Sequence, residues 1–366
     1  MSQVTPDEAS AALPVLPGSV LGVVANPMSG RDIRRLVAQA SVFPNVEKTN
    51  MVVRLVAAAG ATGTERVLIS TDAMGVAGGV LRARDKRRAS AGRWPELEFV
   101  ALDPITGTAA DTRRLVRHMR ERGARVIVLL GGDGTVRAAA AESGDVALLP
   151  LSTGTNNAFP EMLEATVAGT AAGLLATGRV DEAEVTRATK VLRIEAGSTR
   201  DIALVDACVS TVPYIGSRAL WQVETLKEVY CAFAEPHAIG LSSIAGLLHP
   251  AGRSDPDGVV VRLGSGRTVL APVAPGVVAP VGVREAVPLR AGERHVVGLS
   301  RGTVAVDGER EFEFGPATPV TVTLAHDGPR VIDVRGVLAA AARQHLLVAP
   351  PGTEPTVMDG RREEVR

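Results

Sequence analysis

Between about residues 18 and 182 the chain alternates short apolar, β-branched runs with stretches of helical periodicity. The runs are Val20–Ala25, Val67–Ile69, Leu97–Leu102, Arg125–Leu130 and Val146–Leu151. Strands separated by helices pair most readily as a parallel sheet with helices packed on its faces. We therefore expect residues 18–182 to form an α/β, Rossmann-like nucleotide-binding domain with a mostly parallel sheet. Ala109–Arg122 is the plainest of the intervening helices, with Thr108 placed to cap it and Gly123 to end it.

After Asp181 the texture changes. Val191–Ala196, Ile202–Val209, Val259–Leu263, Thr268–Ala271, His295–Leu299, Thr303–Val306, Glu311–Phe314, Val320–Leu324 and Val331–Val334 read as strands between Gly, Pro and Asp turns. That pattern predicts a β-rich, antiparallel substrate domain over 183–335. A helical insertion is expected at 220–233, with Trp221, Leu226, Val229 and Tyr230 buried. A C-terminal helix is expected within 336–349. The ends, 1–17 and 350–366, are rich in Pro and charge and are expected to be mobile.

Charge excludes several function classes. Lys plus Arg total 40 and Asp plus Glu total 40, so nothing in the overall balance draws the chain to nucleic acid or to an anionic membrane. Aromatic residues are 3%, too few for a base-stacking platform. The basic run Arg82, Arg84, Lys86, Arg87, Arg88 reads as a solvated helix end or loop. Cys208 and Cys231 lack the spacing of a zinc site or a disulfide framework. No run reaches the ~18 apolar residues of a membrane span, and no signal peptide is evident. A cytoplasmic protein acting on a small molecule is the expectation, with the oligomeric state, a homo-oligomer included, left open.

Three loops carry the chemistry, each directly after an expected strand, where open α/β sheets bind ligands. The first is Asn26-Pro27-Met28-Ser29-Gly30, which presents Ser29 and a turn glycine, or serves as an ordinary turn. The second is Gly131-Gly132-Asp133-Gly134-Thr135. Three glycines in four residues suit close backbone approach to phosphates at a helix start. Asp133 would repel phosphate there unless Mg²⁺ stood between them. The third, Ser152-Thr153-Gly154-Thr155-Asn156-Asn157, offers hydroxyls and amides to phosphate, ribose or adenine, or caps a helix.

Gly131–Thr135 resembles the GGDGT signature shared by NAD kinases and the diacylglycerol and sphingosine kinases. Asn26–Gly30 and Pro150–Asn157 resemble two further elements of the lipid kinase side, in the same order. The chain is similar in particular to the acetoin catabolism protein X family within the ATP-NAD kinases. That similarity rests on Asn26–Arg35, Ala40-Ser41-Val42-Phe43 and Leu151–Pro160.

The resemblance implies an α/β domain and a β domain with ATP between them, as in NAD kinase and lipid kinase folds. It implies ATP-dependent phosphoryl transfer to a hydroxyl, with magnesium. Asn26, Ser29, Gly30, Gly131, Gly132, Gly134, Thr135, Thr153, Gly154, Thr155 and Asn156 become the candidate ATP-binding residues. Asp133 becomes the candidate metal ligand. Asp133 and Glu309, from Asp307-Gly308-Glu309, become the candidate catalytic carboxylates. Asp307-Gly308 is equally a ready hairpin turn.

The family label makes NAD, and so NADP biosynthesis, the leading acceptor. The Thr-, Pro-, Gly- and Ser-rich segment of NAD kinases is absent, however, and its nearest equivalent, Leu263–Thr268, reads as a hairpin loop. The alternatives are a kinase for a small-metabolite or lipid alcohol, with the acceptor near Tyr214 and Trp221, or a nucleotide-binding accessory protein without turnover.

Overall fold

The computed structural model describes residues 12–30, 43–86, 93–215 and 223–348. Arg87, Arg88, Trp221 and most of both expected mobile ends lie outside the described residues. Five parallel strands form the expected α/β sheet: β1 (Leu16–Ala25), β2 (Thr64–Ser70), β3 (Glu96–Val100), β4 (Val126–Gly131) and β5 (Ala147–Ser152). Every residue of β4 and β5 is buried, as continuous apolar runs in a doubly covered sheet should be. β1 begins at Leu16, inside the segment expected to be mobile, because Leu13 and Leu16 bond back to Ala61 and Gly63.

One face of this sheet packs on α1 (Asn45–Ala61), α2 (Val76–Asp85) and α5 (Ala165–Ala176). The other packs on α3 (Ala109–Glu121) and α4 (Asp133–Ala140). Thr108 caps α3 by accepting from the Ala110 amide, and Gly123, at φ +81°, follows its end, as expected. A short helix, α6 (Glu182–Val185), leads into the rest of the chain.

Beyond it come β6 (Thr186–Ala188), β7 (Val191–Ala196), β8 (Thr199–Ala203), β9 (Asp206–Ser210) and β10 (Leu226–Cys231). A small helix, α7 (Ser242–Gly246), precedes the long pair β11 (Gly258–Ala274) and β12 (Val277–Leu289). Then follow β13 (Arg294–Val296), β14 (Gly302–Val306), β15 (Glu309–Phe314), β16 (Val320–Ala325), β17 (Arg330–Ile332) and α8 (Val334–Arg343). Two antiparallel sheets result, in the orders β12-β11-β10-β9-β14-β15 and β13-β16-β7-β8. β17 and β6 return to the parallel sheet, whose full order is β3-β2-β1-β4-β5-β17-β6. One apolar core runs from α3 and α4 into strands β7, β9, β14 and β16 without a break.

Four expectations are corrected. The described part of 220–233 is a single 3-10 turn, Val223–Thr225, followed by strand β10. Leu226, Val229 and Tyr230 are indeed buried, but pairing with β9 and β11 on both sides overrides their helical spacing. Ile202–Val209 is two strands in two different sheets, broken at Leu204 and Val205. Leu263–Thr268 is a bulge inside β11, because pairing with β12 resumes on the far side of it, Leu263 and Arg267 both facing Val283. The C-terminal helix starts earlier than expected, at Val334, where Asp333 accepts from the Gly336 amide.

Helices α1 and α5 approach closely because α5 is made of small residues. A Cβ on Gly169 would stand 2.4 Å from the Leu55 carbonyl oxygen. Alanine is the better helix former by ~1 kcal/mol, yet this overlap should dominate. We expect Gly169→Ala to cost about 1–3 kcal/mol of stability, read as a lower thermal midpoint. An unchanged or raised midpoint would contradict this account of the packing.

Candidate functional site

From β1 the chain moves outward to β2 and β3, then crosses back to β4 on the other side of β1. Loops leaving β1 and β4 therefore diverge, and a crevice opens at their carboxyl ends, where this class of sheet binds ligands. A cavity of about 1160 Å³ occupies that position. Its walls include Asn26–Gly30, Gly132–Thr135 and Gly154–Asn157 from the three loops, and Asp201, Asp307, Glu309 and Glu311 from the β sheets.

The loops are tied to one another. Asn26 donates through Nδ2 to Thr135 Oγ1 (2.8 Å) and accepts the Met28 amide, bridging the first and second loops. Ser29 Oγ lies 2.7 Å from Thr153 Oγ1, bridging the first and third. Gly30, at φ +74°, has no room for a side chain, since a Cβ would lie 2.6 Å from the Thr153 carbonyl oxygen. Beneath the first loop, the fully buried Lys48 donates to the carbonyls of Asn26, Pro27 and Ser29 and to Asn45 Oδ1.

Asp133 begins α4, and its carboxylate accepts the amides of Ala158 and Phe159 (2.8 Å for the shortest). Arg253 donates to the carbonyls of the same two residues and covers the Phe233 ring at 4.5 Å. The chain after the third loop is thus held from both sides. The carboxylate of Asp133, and not the glycines alone, sets this geometry.

Facing α4 across the cavity is the β14–β15 hairpin. A Cβ on Gly134 would meet only one atom within 4 Å, Glu309 Oε1 at 3.9 Å. The two sequence motifs, 175 residues apart from Gly134 to Glu309, therefore meet across an open gap.

Residues 21–180 match the model of the ATP-NAD kinase N-terminal domain, and residues 190–327 match that of the acetoin catabolism protein X C-terminal domain. The chain is 45% identical over 341 residues to acetoin catabolism protein X of Cupriavidus necator, covering 91% of this chain and 95% of that one. The chain belongs to the acetoin catabolism protein X family.

In this member of the family, most candidate residues read from the sequence converge on the cavity. Asn26, Ser29, Gly30, Gly132, Asp133, Gly134, Thr135, Gly154, Thr155, Asn156 and Glu309 all line it. Gly131 and Thr153 do not. Thr153 is fully buried under Ser29, and a Cβ on Gly131 would fall 2.5 Å from the Thr135 side chain, so both serve loop packing. Tyr214 is 64% exposed and does not line the cavity, and Trp221 lies outside the described residues.

Sequence reasoning missed Lys48, Arg137, Asp201, Glu311 and Arg253. Arg137 was the accessible one, since it follows Asp133 by four residues and so shares its helix face. Its buried guanidinium donates to both oxygens of Asp201 (3.1 Å each) and to Glu311, with Nε 3.8 Å from Asp307.

Asp307 is a turn residue, at φ +48°, but its side chain is fully buried. Its carboxyl accepts the amides of Leu204, Val205 and Asp206, which pins the corner where the chain passes from β8 to β9. Burial pushes this carboxyl up to about 8, with Asp133 and Asp206 adding to the shift against the pull of Arg137 and the Val205 amide. The protonated form therefore lends stability that is complete below its ordinary 3.8 and is lost as pH rises through about 8. The thermal midpoint should fall between about pH 4 and about pH 8 and level off above that, and Asp307→Asn should flatten the fall. Equal slopes in the two proteins would contradict the assignment.

Proposed function

We propose that this chain transfers the γ-phosphoryl group of ATP to a hydroxyl of a small molecule. The observation that carries the proposal is the meeting of Glu309 with the start of α4 across a nucleotide-sized cavity. The positive end of a helix favours phosphate, and Gly134 keeps the approach free of side chains. Asn156 Oδ1 is buried at the cavity without a hydrogen-bond partner, so it seeks a donor, which a ribose hydroxyl or an adenine amino group supplies. Glu309 stands where it can take the proton of the attacking hydroxyl as that oxygen bonds to phosphorus and ADP leaves.

The described residues hold no group of three or more His, Cys, Asp or Glu side chains that could cage a metal. Magnesium needs fewer, because one or two carboxylates suffice when phosphate oxygens and water complete its shell. Asp133, a carboxylate lining the cavity at the start of α4, fits that demand and would hold the ion. When bound, magnesium offsets the charge of the phosphates.

Two acceptors follow from the relationships. The NAD kinase-type domain favours NAD, at a hydroxyl of its adenosine ribose. The name of the Cupriavidus relative favours a small alcohol linked to acetoin catabolism. The second is preferred here. The residues nearest in composition to the missing NAD kinase segment form a bulge of β11 and take no part in the cavity wall.

Three outcomes test the proposal. Gly134→Val should weaken ATP binding at least tenfold in calorimetric titration, and unchanged affinity would mean that the loop is only a turn. Glu309→Gln should lower turnover by ~10²–10⁴-fold at unchanged ATP affinity, whereas a loss under tenfold would remove it as the base. NADP formation from NAD, ATP and magnesium should run far below the ~1–10 s⁻¹ of an enzyme on its own substrate, with small diols outpacing NAD. A robust NAD rate would reverse the preference, and no transfer to NAD, diols or lipid alcohols would leave a binding protein.

A further inference from the structure

Arg137 reaches from α4 into both antiparallel sheets. Asp201 lies on β8 of one sheet, Asp307 in the turn between β14 and β15 of the other, and Glu311 on β15. One planar guanidinium spreads its donors over Asp201 and Glu311 while Nε, buried and without a hydrogen-bond partner, faces Asp307. Only 9% of its side chain is exposed. No other cation is paired with these three carboxylates among the described residues. Removing the guanidinium would leave Asp201 and Glu311 without a counter-charge in a poorly hydrated place.

The geometry bears on Glu309. Glu309 and Glu311 are two residues apart on β15, where the ladder with β14 is bulged, and both line the cavity beside α4. Whatever fixes Glu311 relative to α4 also fixes how far Glu309 stands from Gly134. We infer that Arg137 is a positioning residue, which holds the β14–β15 hairpin against α4 so that the Glu309 carboxylate is kept over the nucleotide-binding loop. The inference rests on the reading of Glu309 as the base. Arginine is required for it, because a lysine ammonium is a point charge that cannot spread donors over Asp201 and Glu311 in one plane.

The test is a double-mutant cycle in the full chain, with Arg137→Lys, Glu309→Gln and both together. Arg137→Lys keeps the charge and so guards against simple unfolding, which its thermal midpoint would report. Alone, it should lower kcat by about 10–10²-fold with little change in the KM for ATP, the size of loss that misplacement of a reacting group brings. In the Glu309→Gln background the same change should cost less than about threefold, because the group it positions is already gone. Equal losses in both backgrounds would overturn the inference while leaving Glu309 as the base.

Hydrogen exchange supplies a readout independent of the acceptor. Amides of 302–314 should exchange faster in Arg137→Lys, with those of β1 and β2 unaffected. Unchanged protection over 302–314 would show that no latch exists, even if the wild-type chain transferred phosphate to nothing. A wild-type chain without transfer would instead defeat the proposed function, and faster exchange in the variant would then leave Arg137 as the latch alone.

Discussion

Burying one guanidinium beside Asp201, Glu311 and the raised carboxyl of Asp307 strips water from charged groups, and only close geometry repays that cost. The Arg137 cluster meets the condition by sharing its contacts between α4 and two antiparallel sheets. Because the apolar core is continuous there, the cluster sits at the polar edge of one packed unit and not in a loose hinge. The surplus of negative charge is absorbed at Asp307, whose carboxyl is raised by burial while three backbone amides hold it in place. That same carboxyl pins the corner where the chain passes from one sheet into the next, while Asp201 on β8 and Glu311 on β15 share the Arg137 guanidinium. Fold and site thus depend on one set of contacts.

The loops across the cavity follow a second rule, that irregular backbone beside a ligand must be satisfied from behind. Lys48 does this for three carbonyls of the first loop. Asp133 and Arg253 do it for the amides and carbonyls after the third. The glycines divide accordingly. Gly30 and Gly132 are small because another loop presses on them, whereas Gly134 is small where the cavity opens. Loops tied down in this way would leave a ligand little ordering to do on binding.

The α/β half was legible in the sequence because its signals are local. Continuous apolar runs mark buried parallel strands, and Thr108 and Gly123 bound α3 where they were expected to. The three loops were legible for the same reason, as each follows its strand directly. What the sequence hid was long-range. Leu226–Cys231 carries helical spacing but lies between two strands that claim its backbone. Leu204 and Val205 look like strand, and nothing local shows that a carboxylate 103 residues away takes the Leu204 amide. Lys48, Asp201 and Arg253 act on residues far from them in the chain, and no periodicity marks such pairings.

The three loops and the β14–β15 hairpin line one cavity, the proposed ATP site. Hydrogen exchange of the wild-type chain, with and without a non-hydrolysable ATP analogue and magnesium, tests it most directly. The account predicts slower exchange together at 26–30, 131–137, 154–158 and 307–311, and no change in the β11–β12 pair. Protection of the loops without the hairpin, or no protection at either, would contradict it.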